Sequence, residues 1–173
     1  MPFNIRQARV EDAPTLASAE REIARTPGLL ASRPHELLDA KFAAKVAELA
    51  ASEEGRYLVA EQDGVLKGYL NLVLAPAEET GWIADCAVER RFRRGGVASV
   101  LLAAAAQWSR ANRLKRLVAE MQSKNYPAIC FAQKHGLVFC GYNDRYYPNQ
   151  DVALFFGLSL IHISEPTRLR RIS

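Results

Sequence analysis

The sequence predicts a single mixed α/β domain, on three observations. The chain has 173 residues, a one-domain length. Hydrophobic residues make up 49%, enough for a sizeable core and against global disorder. The apolar spacing also alternates between strand and helix periods, in the order β-α-α-β-β-β-α-β-α-β-β.

Each element has its own signal. Phe3 to Arg9 alternates apolar and polar residues and predicts a strand. Glu11 and Asp12 place acids where a helix begins, and that helix is expected to reach Arg25, before the break at Thr26-Pro27-Gly28. A second helix is expected from Pro34 to Ala51, with Leu38, Phe42, Val46 and Leu49 on one face. Arg56–Ala60 and Val65–Ala75 read as a hairpin about Asp63-Gly64. After the loop Pro76–Gly81, Trp82–Val88 predicts a further strand. A long helix is expected from Gly96 to Ala111, packing through Val97, Val100, Leu101, Ala104 and Trp108. Arg116–Met121 reads as a strand. Asn125 is a natural cap for a helix opening at Tyr126-Pro127, since proline's missing N–H would be unpaired there anyway. Gly136 ends that helix in a left-handed conformation, and strands follow at Leu137–Tyr142 and Val152–Phe156.

Composition narrows the function class. No run of 18 apolar residues occurs, and the N-terminus is charged where a secretion signal needs an apolar stretch. The expectation is a cytoplasmic protein that neither spans a membrane nor carries a leader. The net charge is +4, much of it in Arg90, Arg91, Arg93 and Arg94. Basic residues beside glycines point to a phosphate ligand. No basic stripe with interleaved aromatics suggests nucleic acid. Cys86, Cys130 and Cys140 lack metal-ligand spacing with one another or with His35, His135 and His162, so they are expected to be buried reduced thiols and no metal site is expected. Trp82, Trp108, Phe155 and Phe156 read as core. Leu158 to Arg168, LSLIHISEPTR, matches a translated frame of a transposase sequencing adaptor. Residues 1–157 are therefore expected to form the domain, 158–173 to be a non-native tail, and His162 to have no functional role.

The chemistry concentrates in Arg93-Arg94-Gly95-Gly96-Val97-Ala98, between a strand and a long helix. Glycine allows close backbone approach to an anion. The helix start supplies unpaired N–H donors with a positive partial charge, and the arginines add charge-assisted contacts. The segment lacks the Gly-Lys-Ser/Thr of a Walker loop and the spacing of a dinucleotide fingerprint. Two carboxylates, Asp85 and Glu120, interrupt apolar strands. A carboxylate there is costly without a partner or a task, so each is a candidate general base or a clamp for a cationic acceptor.

Arg93-x-x-Gly96-x-Ala98 resembles the phosphate motif Q/R-x-x-G-x-G/A of the GNAT acetyltransferases, and Asn125-Tyr126-Pro127-Ala128-Ile129-Cys130-Phe131 with Lys134-His135-Gly136-Leu137 resembles their block N-x-x-A-i-x-F-Y-x-K-x-G-F. The resemblance spans about residues 3–157. From Arg94 to Phe156 it looks nearest to streptothricin-acetyltransferase-like members. It implies a GNAT-like fold: a mostly antiparallel central sheet, splayed between strands 4 and 5 and flanked by about four helices.

It also implies acetyl-CoA as cosubstrate. Backbone groups of Cys86, Ala87 and Val88 would hold the pantetheine arm and thioester. The N–H groups of Arg94, Gly95, Gly96, Val97, Ala98 and Ser99, with Arg93, would hold the pyrophosphate, and Asn125, Ala128 and Phe131 would complete the site. An amine would then attack the thioester directly, with no metal and no covalent enzyme intermediate, while the backbone N–H near Val88 steadies the developing oxyanion.

The chain departs from the family where a tyrosine usually protonates the leaving thiolate. Ala132 stands at that position. A water, or Tyr142, Tyr146 or Tyr147, is a candidate substitute. The acceptor implied is a primary amine of a small molecule, an aminoglycoside-like or streptothricin-type antibiotic among them. A protein N-terminus or lysine, and a non-catalytic acyl-CoA-binding module, are the alternatives. Dimers are common in the family. Lys134 is open between a phosphate contact and solvent, and His135 reads as a helix-end cation.

Overall fold

The computed structural model describes residues 3–12 and 55–161. Within them lie seven strands and two α-helices: β1 (Asn4–Gln7), β2 (Gly55–Gln62), β3 (Val65–Ala75), β4 (Thr80–Val88), α1 (Val97–Ala111), β5 (Arg116–Gln122), α2 (Tyr126–Lys134), β6 (Val138–Asn143) and β7 (Ala153–Ser159). Val10–Asp12, where the first helix was expected to open, forms a short 3-10 turn. The rest of that helix and all of the expected Pro34–Ala51 helix lie outside the described residues.

The strands form one sheet in the order β1-β2-β3-β4-β5-β7-β6. Every pairing is antiparallel except β4 with β5, which needs a crossover, and α1 supplies it. The β2–β3 hairpin turns through Asp63 and Gly64 at φ 54° and 73°, the doubly positive turn that matches strand twist. Gly68 lets β3 approach the end of β4, since a Cβ there would stand 2.7 Å from the Ala87 carbonyl oxygen.

The core lies between one face of the sheet and α1. Leu58, Leu70, Leu72, Ile83 and Leu117 meet Val97, Leu101, Leu102 and Ala105. The buried face of α1 is rotated from the one expected. Leu102, Ala105, Ala106 and Ser109 are buried, while Val100, Ala104 and Trp108 are only partly so. The reason is close approach. A Cβ on Gly81 of β4 would stand 3.1 Å from the Ser109 Oγ, so the helix crosses the strand on its small residues. Trp108 is too large for that line.

Two irregularities shape the second half of β4. The β4–β5 ladder stops after Ile83 and Ala119, so the strands part before Val88 and Gln122. In the β3–β4 ladder, Asn71 pairs with Asp85 and Leu72 with Ile83, leaving Ala84 as an extra residue. Such a bulge bends its strand and re-aims its side chains.

At the other end, β7 continues past the expected Phe156 to Ser159. Leu158 pairs with Leu117 and Ser159 with Arg116. Leu160 is buried, and its N–H donates to the Lys115 carbonyl at 2.8 Å. Whatever the origin of residues 158–160, their backbone completes a ladder, because every non-proline residue brings the same donor and acceptor.

Candidate functional site

Where β4 and β5 part, a cleft of about 990 Å³ opens. Ile83 to Val88 form one wall and Ala119 to Gln122 the other, with Arg93 to Ser99 and parts of α2 closing the ends.

The α1 end presents unpaired backbone N–H groups to the cleft. Gly96 is the N-cap of α1 at φ +83°, and its side-chain-free position leaves the helix start uncapped. The first helical hydrogen bond runs from the Val100 N–H to the Gly96 carbonyl. The N–H groups of Val97, Ala98 and Ser99 therefore precede the helical ladder and face a ligand-sized space. Arg94 also sits at positive φ, 64°. The arginines divide their work. Arg93 Nε donates to the Val88 carbonyl at 2.9 Å and so ties the glycine turn to the end of β4. Arg94 lines the cleft and is exposed.

On the α2 side, the Asn125 side-chain Oδ1 accepts from the Ala128 N–H at 3.3 Å and Pro127 lies in the first turn. Ala128, Phe131 and Ala132 line the cleft, and Ala132 is buried. His135, expected to serve only the helix end, does more. Its Nε2 lies 3.0 Å from the Ser99 Oγ and its ring packs on Phe131 at 4.4 Å, joining the end of α2 to the first turn of α1.

At the far end stand the two carboxylates. Both project from the sheet face opposite α1: Leu117, Ala119 and Met121 of β5 join the core, which leaves Glu120 on the other side. Tyr146 and Tyr147 donate to Glu120 Oε2 and Oε1 at 2.9 and 3.0 Å. Both phenols are held above their ordinary range, Tyr146 first by that hydrogen bond and Tyr147 first by burial and then by the Glu120 charge. The loop carrying them is pinned. The Tyr146 and Tyr147 N–H groups donate to the Asp151 carbonyl, and the Asp151 carboxylate accepts from Lys124 Nζ at 2.5 Å and Asn149 Nδ2 at 2.7 Å. Those contacts draw the Asp151 carboxyl below its ordinary value, Lys124 first.

Of the three candidate tyrosines, Tyr147 is the one that lines the cleft and is buried. Tyr142 is not brought to Glu120. It pairs with Leu154 on the sheet-edge strand and is 69% exposed. The bulge between Phe139 and Gly141 resets its face.

The thiols correct a second expectation, for all three cysteines are accessible rather than buried. Cys86 and Cys130 open onto the cleft, and Cys140 lies on the edge strand β6. Dense protein on the remaining sides of Cys86, and then the Asp85 charge, push its thiol up to about 12. It stays protonated at neutral pH and is a poor nucleophile.

Fold and cleft together define a class: an α/β protein whose parted sheet admits an elongated, phosphate-bearing ligand. The profile of the Acetyltransferase (GNAT) family matches residues 18–137, and the chain belongs to that family. It is an acetyl-CoA-dependent N-acetyltransferase, with acetyl-CoA as its cosubstrate. A candidate ribosomal protein bS18-alanine N-acetyltransferase of Bacillus subtilis (strain 168) is 26% identical over 157 residues, covering 90% of this chain and 95% of that protein. In fold the chain resembles a ribosomal-protein-alanine N-acetyltransferase of Brucella melitensis, with TM-score 0.76, 21% identity, and 90% and 99% of the two chains covered. It also resembles the acetyltransferase yncA of Salmonella typhimurium, solved with its cofactor acetyl-CoA, with TM-score 0.77, 17% identity, and 97% and 99% covered. The streptothricin acetyltransferases, expected as the nearest group, are represented by one more distant structure. A candidate member from Bacillus anthracis, in complex with acetyl coenzyme A, reaches TM-score 0.60 at 24% identity and covers 65% of this chain and 66% of its own.

Among the described residues no helix is long and apolar enough to cross a membrane.

Proposed function

We propose that the acceptor of this acetyltransferase is the α-amine of a polypeptide, acetylated by direct attack on acetyl-CoA. The observation that carries the chemistry is the charge layout of the cleft: uncapped N–H groups and Arg94 at one end, Asp85 and Glu120 at the other. The pyrophosphate would lie on the N–H groups of Val97, Ala98 and Ser99, and the pantetheine arm along Cys86 to Val88, where β4 has no ladder partner on the β5 side. Glu120, fixed by two hydroxyls, would hold the acceptor ammonium. Asp85 would take its proton, and the free amine would attack the thioester carbon. The acetyl C–S bond would then break, and CoA would leave as thiolate or thiol.

An α-amine suits a carboxylate base. Its pKa is about 2.5 units below that of a lysine, which saves about 3 kcal/mol of deprotonation at neutral pH. The alanine-acetylating relatives also match over nearly their full lengths. A small-molecule amine is the second reading, supported by the shorter match to the Bacillus anthracis structure. Comparing kcat/KM for alanine-initiated peptides, lysine peptides, polyamines and streptothricin separates the two. Alanine peptides are expected to lead by at least about tenfold. A small amine in the lead would replace the polypeptide.

The cysteines report where the cosubstrate lies. Acetyl-CoA is expected to protect Cys130, which lines the cleft, from iodoacetamide and to leave Cys140 labelled at its unliganded rate, read by peptide mass spectrometry. Equal labelling of Cys130 with and without acetyl-CoA would move the cofactor out of this cleft.

A further inference from the structure

Tyr57, Asn71 and Asp85 form one row across β2, β3 and β4, because Asn71 pairs with Tyr57 on one side and Asp85 on the other. Directly opposed residues share a face, here the face away from α1. Asp85 lines the cleft at one end of the row. Asn71, next to it, is fully buried, and neither its Nδ2 nor its Oδ1 has a hydrogen-bond partner among the described residues. A buried amide with donor and acceptor both unmet is costly, and an apolar residue of the same size would avoid the cost. Ser109, the comparable case, lies on α1 under Gly81, away from the carboxylates. The bulge at Ala84 sits beside the Asn71–Asp85 pair, where the strand turns its side chains toward the cleft. An amide presents a donor and an acceptor side by side. That pattern suits one water bridged to a carboxylate.

We propose that Asn71 is a positioning residue for the acetyl transfer: its buried amide holds a water against Asp85, and the proton of the acceptor ammonium leaves through that water. In this step an N–H bond of the ammonium breaks and an O–H bond forms on the water. The water passes one of its own protons to the Asp85 carboxylate, so water is regenerated and the amine is left neutral. Asn71 neither gains nor loses a proton. Its Nδ2 donates to the water oxygen and its Oδ1 accepts the O–H that is not transferred. The inference rests on the proposed role of Asp85 as proton acceptor.

The test uses the full chain with saturating acetyl-CoA and the best acceptor of the panel. Asn71→Leu is expected to lower kcat at least about tenfold and to leave KM for acetyl-CoA within about twofold. Asn71→Ala removes the same group without adding bulk and carries the kcat reading if Asn71→Leu fails to fold. Asn71→Ser, which keeps a donor and an acceptor and leaves room for water, is expected to retain kcat within about threefold. Combining Asn71→Leu with Asp85→Asn should be no slower than Asp85→Asn alone, since both act on one step. Wild-type kcat in the leucine and alanine variants, beside a slow Asp85→Asn enzyme, would overturn the role of Asn71 alone. Wild-type kcat in Asp85→Asn would overturn the role of Asp85 itself. If Asn71→Ser is as slow as Asn71→Ala and both lose Tm, Asn71 is a packing residue only.

Discussion

Replacing Ala98 with glutamate is expected to weaken acetyl-CoA binding at least about 100-fold while Tm stays at or above that of the wild type. Ala98 lies in the first turn of α1 and lines the cleft. A carboxylate there meets the unpaired N–H groups of the helix start from within the chain and occupies the place of a phosphate. Two like charges about 4 Å apart repel by about 4 kcal/mol at the effective dielectric of a protein surface, which alone exceeds a hundredfold. The same carboxylate favours the fold, since a negative group near a helix N-terminus contributes about 0.3–1 kcal/mol. The two effects have opposite signs, so misfolding cannot imitate the result. Titration calorimetry with acetyl-CoA and a thermal melt decide it. Unchanged affinity would mean that the pyrophosphate does not use this helix start.

Asp85→Asn is the second large effect. The side chain keeps its shape and loses its charge and basicity. Removing a general base typically costs about 10²–10⁴-fold, and kcat/KM for the amine is expected to fall within that range at pH 7. Affinity for acetyl-CoA should stay within about twofold, because the carboxylates stand at the opposite end of the cleft from the helix start. Equal losses in both quantities would recast Asp85 as a residue that shapes the cleft.

Neither prediction needs the missing phenol at Ala132, and the structure shows why that departure is tolerable in packing terms. Ala132 is buried where α2 meets the core, so its methyl group fills the site. Two other phenols are present, yet both already donate to Glu120, and their protons are held more tightly than usual.

The anion end of the site was legible because its causes are local. Glycine at Gly96 permits φ +83°, a helix follows at once, and the helix start is uncapped; all three are written within Arg93 to Ser99. Asn125 capping α2 and Gly136 ending it at φ +79° are local in the same way. The hairpin at Asp63-Gly64 needs two adjacent residues and no more. Strand ends were less legible. β7 runs on through Ser159 because β5 offers it partners, a fact about β5 rather than about residues 157–159.

The acceptor end could not be found from spacing, because its contacts join distant segments. Glu120 meets Tyr146 and Tyr147 from 26 and 27 residues away, and Lys124 holds Asp151 across 27. No periodicity encodes such pairs. Sequence did mark Asp85 and Glu120 as carboxylates in apolar strands, but their shared face depends on a bulge at Ala84 and on which face of β5 meets α1. Asn71 carried no sequence signal at all, since one asparagine in a strand is unremarked until its burial is known. By itself, then, the sequence determined the order of the described strands and helices, the turns and caps, and the uncapped start of α1, because backbone conformation and helix ends are set by a few consecutive residues. Only the tertiary structure decided the parted strands, the tyrosine clamp and the Tyr57–Asn71–Asp85 row, because those are set by register and packing between residues that the chain keeps far apart.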